Sequence, residues 1–374
     1  MSRWMHTALT EALGCRYPIV QTAMGWVSDA NLVIATTQAG GFGFLAGATL
    51  AADALEGQIC KVIEATGGSN FGLNFHMFQD NAAQCVDLAI AYRLRAVSYG
   101  RGPDAQTIAR FKAAGVLCIP TVGALKHALK AEQLGADLIT LQAGEGGGHT
   151  GGVPGTILLP QVLAAVRVPV IAAGGHSTGR GLAAVLAAGG SGIAMGTRFL
   201  MTRESPTPAA TLARYLKVAD PQQVRVTTAV DGMRHRMIEN RFINRLEQAG
   251  PFARLRIALG SAWQWKQQTG MSLAHMATVF LRALREDPAA LAQVVMAANQ
   301  PVLLQRSMVD GLPDDGILPS GQVAAAISDL LTCREVIEGI AAEAAQCLDA
   351  LLARCPEHTP AAVADRLALT GERS

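Results

Sequence analysis

The sequence predicts an α/β chain: a (β/α)8 barrel of the TIM type with a smaller, mostly helical second region. Three observations carry that expectation. Between Tyr17 and Leu200, eight short runs rich in β-branched and small residues alternate with Ala-rich amphipathic stretches. Several of those stretches end at a glycine (Gly40, Gly115, Gly135, Gly189), the residue that most readily takes the left-handed turn after a helix. The chain has 374 residues, roughly 120 more than an ordinary barrel, so a sizeable elaboration has to be placed.

The expected strands are Pro18–Gln21, Gly43–Ala46, Gly72–Phe75, Ala96–Ser98, Val116–Ile119, Leu138–Leu141, Val168–Ala172 and Gly192–Met195. The clearest helical patterns between them are Asp29–Ala39, Ala105–Ala114, Leu125–Leu134, Ile157–Val166 and Arg180–Ala188. Strands alternating with helices of this length imply right-handed crossovers and a parallel sheet. A doubly wound sheet is the competing arrangement and needs the strand count to fall by two or three. After Glu204 the pattern changes: a helix over Ser205–Ala219, a β-rich stretch over Val224–Val230, and the charged segment Asp231–Arg241. Helical character dominates 251–300, a Gly/Pro/Asp-rich connection covers Gly311–Gly316, and Ser320–Leu351 is again Ala-rich and amphipathic. The expected division is a barrel over 1–204, a helical substrate-covering region over 205–315, and helices packing back on the barrel over 316–374.

Composition excludes several classes of function. The chain carries 31 Lys+Arg against 29 Asp+Glu, a net charge of +2, with 50% hydrophobic and 16% charged residues. That balance implies neither disorder nor a general field for nucleic acid. The longest apolar candidate, Gly181–Gly196, is interrupted by Gly189, Gly190, Ser191 and Gly192, so no membrane span is expected. The N-terminus lacks an apolar core of signal-peptide type, and seven scattered cysteines without C-x-x-C suit reduced thiols. A cytoplasmic protein is expected, and a homodimer is compatible with the chain.

In such barrels the chemistry sits at the C-terminal ends of the strands. The seventh and eighth ends carry Gly174, Gly175, Gly196 and Thr197, where bare backbone can approach a phosphate beside a helix start. Two adjacent glycine turns favour that reading over mere tight turns. The sixth end carries Gly146, Gly147 and Gly148 followed by His149, an imidazole suited to acid/base work on a loop open to a flat ligand. A loop- or helix-capping role competes for it. His76, next to Asn74 at the third end, is a candidate pocket residue. Arg234, His235, Arg236 and Arg241 form a cationic cluster; a solvated face is the bland reading, an anionic substrate tail the sharper one. His127 is expected to face solvent beside Lys126. No spacing of metal-ligand or serine-hydrolase type occurs.

Five segments, Pro18–Gly25, Phe71–Asn74, Gln142–His149, Ile171–Gly175 and Met195–Leu200, resemble the nitronate monooxygenase (2-nitropropane dioxygenase-like) family, which includes FMN-dependent enoyl reductases. The resemblance covers most of residues 10–350. It implies a non-covalent FMN near Ala23, Met24, Gly25 and Asn74, with Lys126 and Gln142 at its ring or ribityl edge. It further implies a phosphate held by Gly174, Gly175, Gly196 and Thr197, with Ala173, Met195 and Gly151 nearby, and His149 as the catalytic or substrate-positioning group. Segments Gln21–Val27, Glu145–Gly151, Val230–Arg236, Val295–Asn299 and Leu318–Val323 are similar to a subgroup of flavoproteins acting on CoA esters in steroid C/D-ring catabolism. The implied activity is introduction or reduction of an α,β double bond in a CoA thioester, with NAD(P) or O2 as electron partner. Oxidation of alkyl nitronates and a non-catalytic flavin- or CoA-binding module are the alternatives. Gly146 and His176 depart from the wider family's pattern and weaken the nitronate alternative.

Overall fold

The computed structural model describes residues 2–50, 52–77, 79, 81–100, 102–269 and 299–354. The helical expectation for 270–298, most of the Val295–Asn299 motif, and everything from Cys355 lie outside the described residues. Eight parallel strands close into a barrel: β1 (Ile19–Gln21), β2 (Phe42–Ala46), β3 (Gly72–Phe75), β4 (Ala96–Tyr99), β5 (Leu117–Val122), β6 (Ile139–Gln142), β8 (Val170–Ala173) and β9 (Gly192–Met195). Each falls on an expected run, β5 reaching three residues further than its pattern suggested. β7 (Gly148–His149) lies outside the barrel.

Strand residues alternate between two apolar environments, because both faces of a barrel sheet are covered. Val20, Phe42, Phe44, Ala96, Ile119, Ile171 and Ala194 form one buried cluster contributed by six strands. Phe44 needs Gly72 opposite it, since a Cβ there would lie 2.2 Å from the ring. Around the sheet run α2 (Ala30–Gln38), α3 (Ala52–Thr66), α4 (Ala82–Ala91), α5 (Ala105–Ala113), α6 (Leu125–Gln133), α7 (Gly155–Leu163) and α8 (Gly179–Ala187), preceded by α1 (Ala8–Leu13). Asp29, Asp104 and Thr178 cap α2, α5 and α8 through side-chain oxygens, so local sequence fixes where these helices start.

After β9 the chain makes one short helical turn, α9 (Thr197–Leu200), and leaves the barrel. The excursion contains α10 (Ala209–Leu216), the antiparallel pair β10 (Val224–Thr227) and β11 (His235–Ile238), and α11 (Arg241–Gln248), α12 (Pro251–Thr269) and α13 (Asn299–Met308). It returns as α14 (Cys333–Leu352), which packs on α8 and α2. That is the place an eighth barrel helix occupies. The two ends of the excursion are fastened together: Thr202 bridges Leu331, and Glu204 accepts the Cys333 N–H.

The charged segment 231–241 departs from the solvated-face expectation. Its centre is strand β11, paired on one side with β10 and on the other with β7. His235 is therefore 1% exposed. The pairing partners are distant in sequence, which is why residue type alone misjudged the burial.

The α8–α14 contact is close enough to test. A Cβ on Gly179 would lie 2.4 Å from the Ala344 nitrogen, so Gly179→Ala forces the helices apart. Equilibrium urea unfolding should show a loss of about 1–3 kcal/mol. Gly57, inside α3 with nothing near its Cβ direction, should behave oppositely, Gly57→Ala gaining roughly 0.5–1 kcal/mol.

Candidate active site

The strand ends open into a cavity of about 1950 Å³. Ordinary small-molecule pockets run to roughly 300–1,000 Å³, so this one accommodates a cofactor and a substrate together. Ala23, Met24, Gly25, Asn74, Gln142, Gly151, Ala173, Gly174, Gly175, Met195, Gly196 and Thr197 all line it, as do His76, His149, Arg234 and His235. Asn74 Nδ2 donates to the Ser98 carbonyl at 3.0 Å. Gln142 Nε2 donates to the carbonyls of Gly147 (3.0 Å) and His149 (2.9 Å), so it braces the glycine loop from below.

Three expected residues lie elsewhere. Lys126 sits exposed on the first turn of α6 and is not among the lining residues. His127 and Lys130 of the same helix line the cavity instead, so His127 borders the cavity as well as solvent. Successive helix residues are rotated by about 100°, so a misjudged facing of one position changes which side chain reaches the mouth. Arg236 turns away and donates to the Gly144 and Val224 carbonyls. Arg241 lies on a shallow surface depression, 3.9 Å from Asp315.

The two glycine turns differ in conformation, Gly196 having φ of -100°. Gly174 and Gly175 take φ of +104° and +77°, where a side chain would be strained. Gly175 leads toward α8, whose N-cap Thr178 accepts the Gly181 N–H. At the neighbouring strand end, the Thr197 hydroxyl accepts the Gly321 N–H at 3.0 Å, drawing the returning segment over the site. Gly146 is equally constrained: a Cβ there would lie 3.0 Å from Gln142 Nε2. Glu145 is structural here, accepting the Gly155 N–H at the start of α7. His176 lines the cavity, and burial lowers its pKa against the opposing pull of Glu145.

At the other side of the cavity three side chains meet. His149 Nε2 lies 2.6 Å from an Asp231 carboxylate oxygen, and the carboxylate is 2% exposed. The second carboxylate oxygen accepts the Met233 N–H at 3.0 Å. Burial alone would raise the Asp231 pKa, but the hydrogen bonds from His149 and Met233 and the nearby imidazoles bring it below its ordinary value. The His235 ring stacks on His149 with centroids 4.5 Å apart and planes 23° from parallel. Burial, and secondarily the proximity of His149, push its pKa down to about 3. His149, Asp231 and His235 bring ligand-type atoms within 4.8 Å of one another. The two imidazole rings of the set lie face to face rather than edge to edge.

A sequence profile described as nitronate monooxygenase matches residues 6–89 and 77–343. The chain belongs to the nitronate monooxygenase family. It is an oxidoreductase, and family membership supports the flavin expected from the sequence. A Rhodococcus jostii protein named (3aS,4S,5R,7aS)-5-hydroxy-7a-methyl-1-oxo-octahydro-1H-indene-4-carboxyl-CoA dehydrogenase is 44% identical over 347 residues, spanning 93% of this chain and 98% of the relative. A Mycobacterium tuberculosis protein of the same name is 45% identical over 343 residues, spanning 91% and 96%. Among solved structures, FabK from Thermotoga maritima superposes with a TM-score of 0.76 at 27% identity, covering 92% of this chain and 98% of that one.

Asp231 is the site residue that sequence reasoning missed. Its one local signal is the Asp–Gly pair of a turn, which says nothing of a histidine 82 positions away. The buried imidazole gives a pH test. The unfolded chain takes up a proton at His235 near pH 6.5, whereas the folded protein refuses it until about pH 3. Stability should therefore fall on acidification below about pH 6.5. Urea melts of the protein and of His235→Phe at about pH 6.5 and about pH 5 should show a smaller loss in the variant.

Proposed function

We propose that the protein is an FMN-dependent dehydrogenase that introduces an α,β double bond into a bicyclic CoA thioester of the kind named for its relatives. The observation that carries this reading is similarity at 44–45% identity over more than nine-tenths of the chain to two dehydrogenases of one such ester. Because the match spans more than nine-tenths of the chain, it takes in the excursion as well as the barrel.

The described residues fit the cofactor. Positive-φ glycines at 174 and 175, with Gly196 and Thr197 beside them, form a cradle for a terminal phosphate. Backbone at Ala23–Gly25 and the side chain of Asn74 border the space for a planar ring. FMN, when bound, supplies the acceptor for the hydride leaving the β-carbon.

The protein's own work is to bind, orient and deprotonate. A thioester carbonyl acidifies its α-proton, and His149, whose ring lies at the cavity wall, is the base that takes it. Glycines 146–148 keep that wall free of bulk, so the ring system can lie flat. Among the described residues, Arg234 and Lys130 are cations of the cavity lining and suit the CoA phosphates, whereas Arg236 and Arg241 do not line it. Apolar lining from Met308, Leu304 and Val323 suits the hydrocarbon skeleton.

Mixing FMN-loaded protein anaerobically with the octahydroindene carboxyl-CoA ester should bleach the flavin and give a product two hydrogens lighter. Oxygen uptake with propionate 3-nitronate and no reaction with the ester would instead establish nitronate oxidation. Later addition of NAD+ or O2 identifies the acceptor that restores the spectrum. His149→Ala should keep the flavin and lose about 10²–10⁴ in kcat. Gly175→Val should release the flavin, read as free FMN after gel filtration.

A further inference from the structure

Asp231 reaches the cavity from outside the barrel, and the reaction as derived does not use it. We propose that Asp231 is a positioning residue that holds His149 as the tautomer carrying its proton on Nε2, leaving Nδ1 to accept the substrate proton. This inference rests on the base role assigned to His149.

The geometry is specific. One carboxylate oxygen lies 2.6 Å from His149 Nε2 and the other accepts the Met233 amide, so the carboxylate cannot swing away without breaking a turn. An ionised carboxylate only accepts, so Nε2 must be the donor. The ring is fixed in a second direction by the His235 face stacked on it. Backbone pairing of His149 with His235 in the β7–β11 ladder sets the register of the two rings. The ionisable groups gathered here are Asp231, Arg234, His235 and Arg236 from the excursion and Glu145 from the same loop as His149. Glu145 is occupied at α7, and a neutral His235 places no positive charge against the His149 face. When His149 takes a proton on Nδ1, the imidazolium faces a buried anion that was already aligned with it.

A turn-forming aspartate would have no such consequence, and one substitution separates the two roles. Asn at 231 keeps the turn to Met233 but offers His149 an amide in place of a carboxylate. In Asp231→Asn, kcat on the CoA ester should fall about 10²-fold or more while flavin content is retained. The acid limb of the kcat/KM profile should shift, because the charge that favours the imidazolium is gone. Asp231→Glu should restore part of the rate. Independently of turnover, ¹⁵N-edited NMR of the FMN-loaded protein should show a strongly downfield Nε2 proton that is lost in both His149→Ala and Asp231→Asn.

If that resonance is absent from the parent protein, or Asp231→Asn keeps its rate and pH profile, Asp231 is a turn residue only. If the resonance is present but His149→Ala turns over normally, the positioning is real and the base role of His149 fails instead. An Asp231→Asn protein that does not fold leaves the parent spectrum and Asp231→Glu to decide.

Discussion

The site depends on a backbone ladder two residues long. Gly148 and His149, on the loop after β6, pair with Arg236 and His235 of the excursion. Without that pairing a loop of three consecutive glycines would have little to hold it, since glycine loses more backbone freedom on ordering than any other residue. The rest of the loop is bound from other directions. Gln142 donates to it from below, Arg236 holds Gly144, and Gly147 packs so closely on Ser320 that a Cβ would lie 2.5 Å from its carbonyl carbon. A segment chosen for bareness is thus made rigid by neighbours rather than by its own side chains.

This arrangement divides the labour between two parts of the chain. The barrel's strand ends supply the glycines and amide groups proposed to border the cofactor, all from residues before 200. The excursion supplies Asp231, Arg234 and His235, which surround the proposed base. Such a division suits a family in which one flavin site serves different substrates, because the second part can change while strand ends keep their shape.

How much of this was legible in the sequence follows from the range of the interactions. The strands and the glycine turns announce themselves locally: β-branched runs, helix-ending glycines and capping Asp or Thr residues act within a few positions. The glycine turns at 174–175 and 196–197 were readable for the same reason. What the sequence hid is long-range. Nothing near Arg234–Arg236 says that a strand forms there against residues 148–149, so His235 passed for a surface group. Lys126 was placed by resemblance on a helix whose neighbouring positions, His127 and Lys130, face the cavity. Asp231 was invisible because a buried carboxylate has the same letter as an exposed one, and only its partner, 82 positions earlier, distinguishes them.

The place of α14 gives the protein a particular order of assembly. Strand eight is complete at Met195, but the helix that covers its flank begins at Cys333, about 140 residues later. On a ribosome, all eight strands emerge long before the last layer of helix, at about 5–20 residues per second. Until it is made, nothing from α14 covers the faces of α2 and α8 on which it packs. The fastening of Thr202 to Leu331 and of Glu204 to Cys333 brings the final helix back to those faces once the excursion has folded. Newly made chains are therefore most exposed to aggregation and to chaperone capture in that interval, and truncations that remove α14 would prolong it indefinitely.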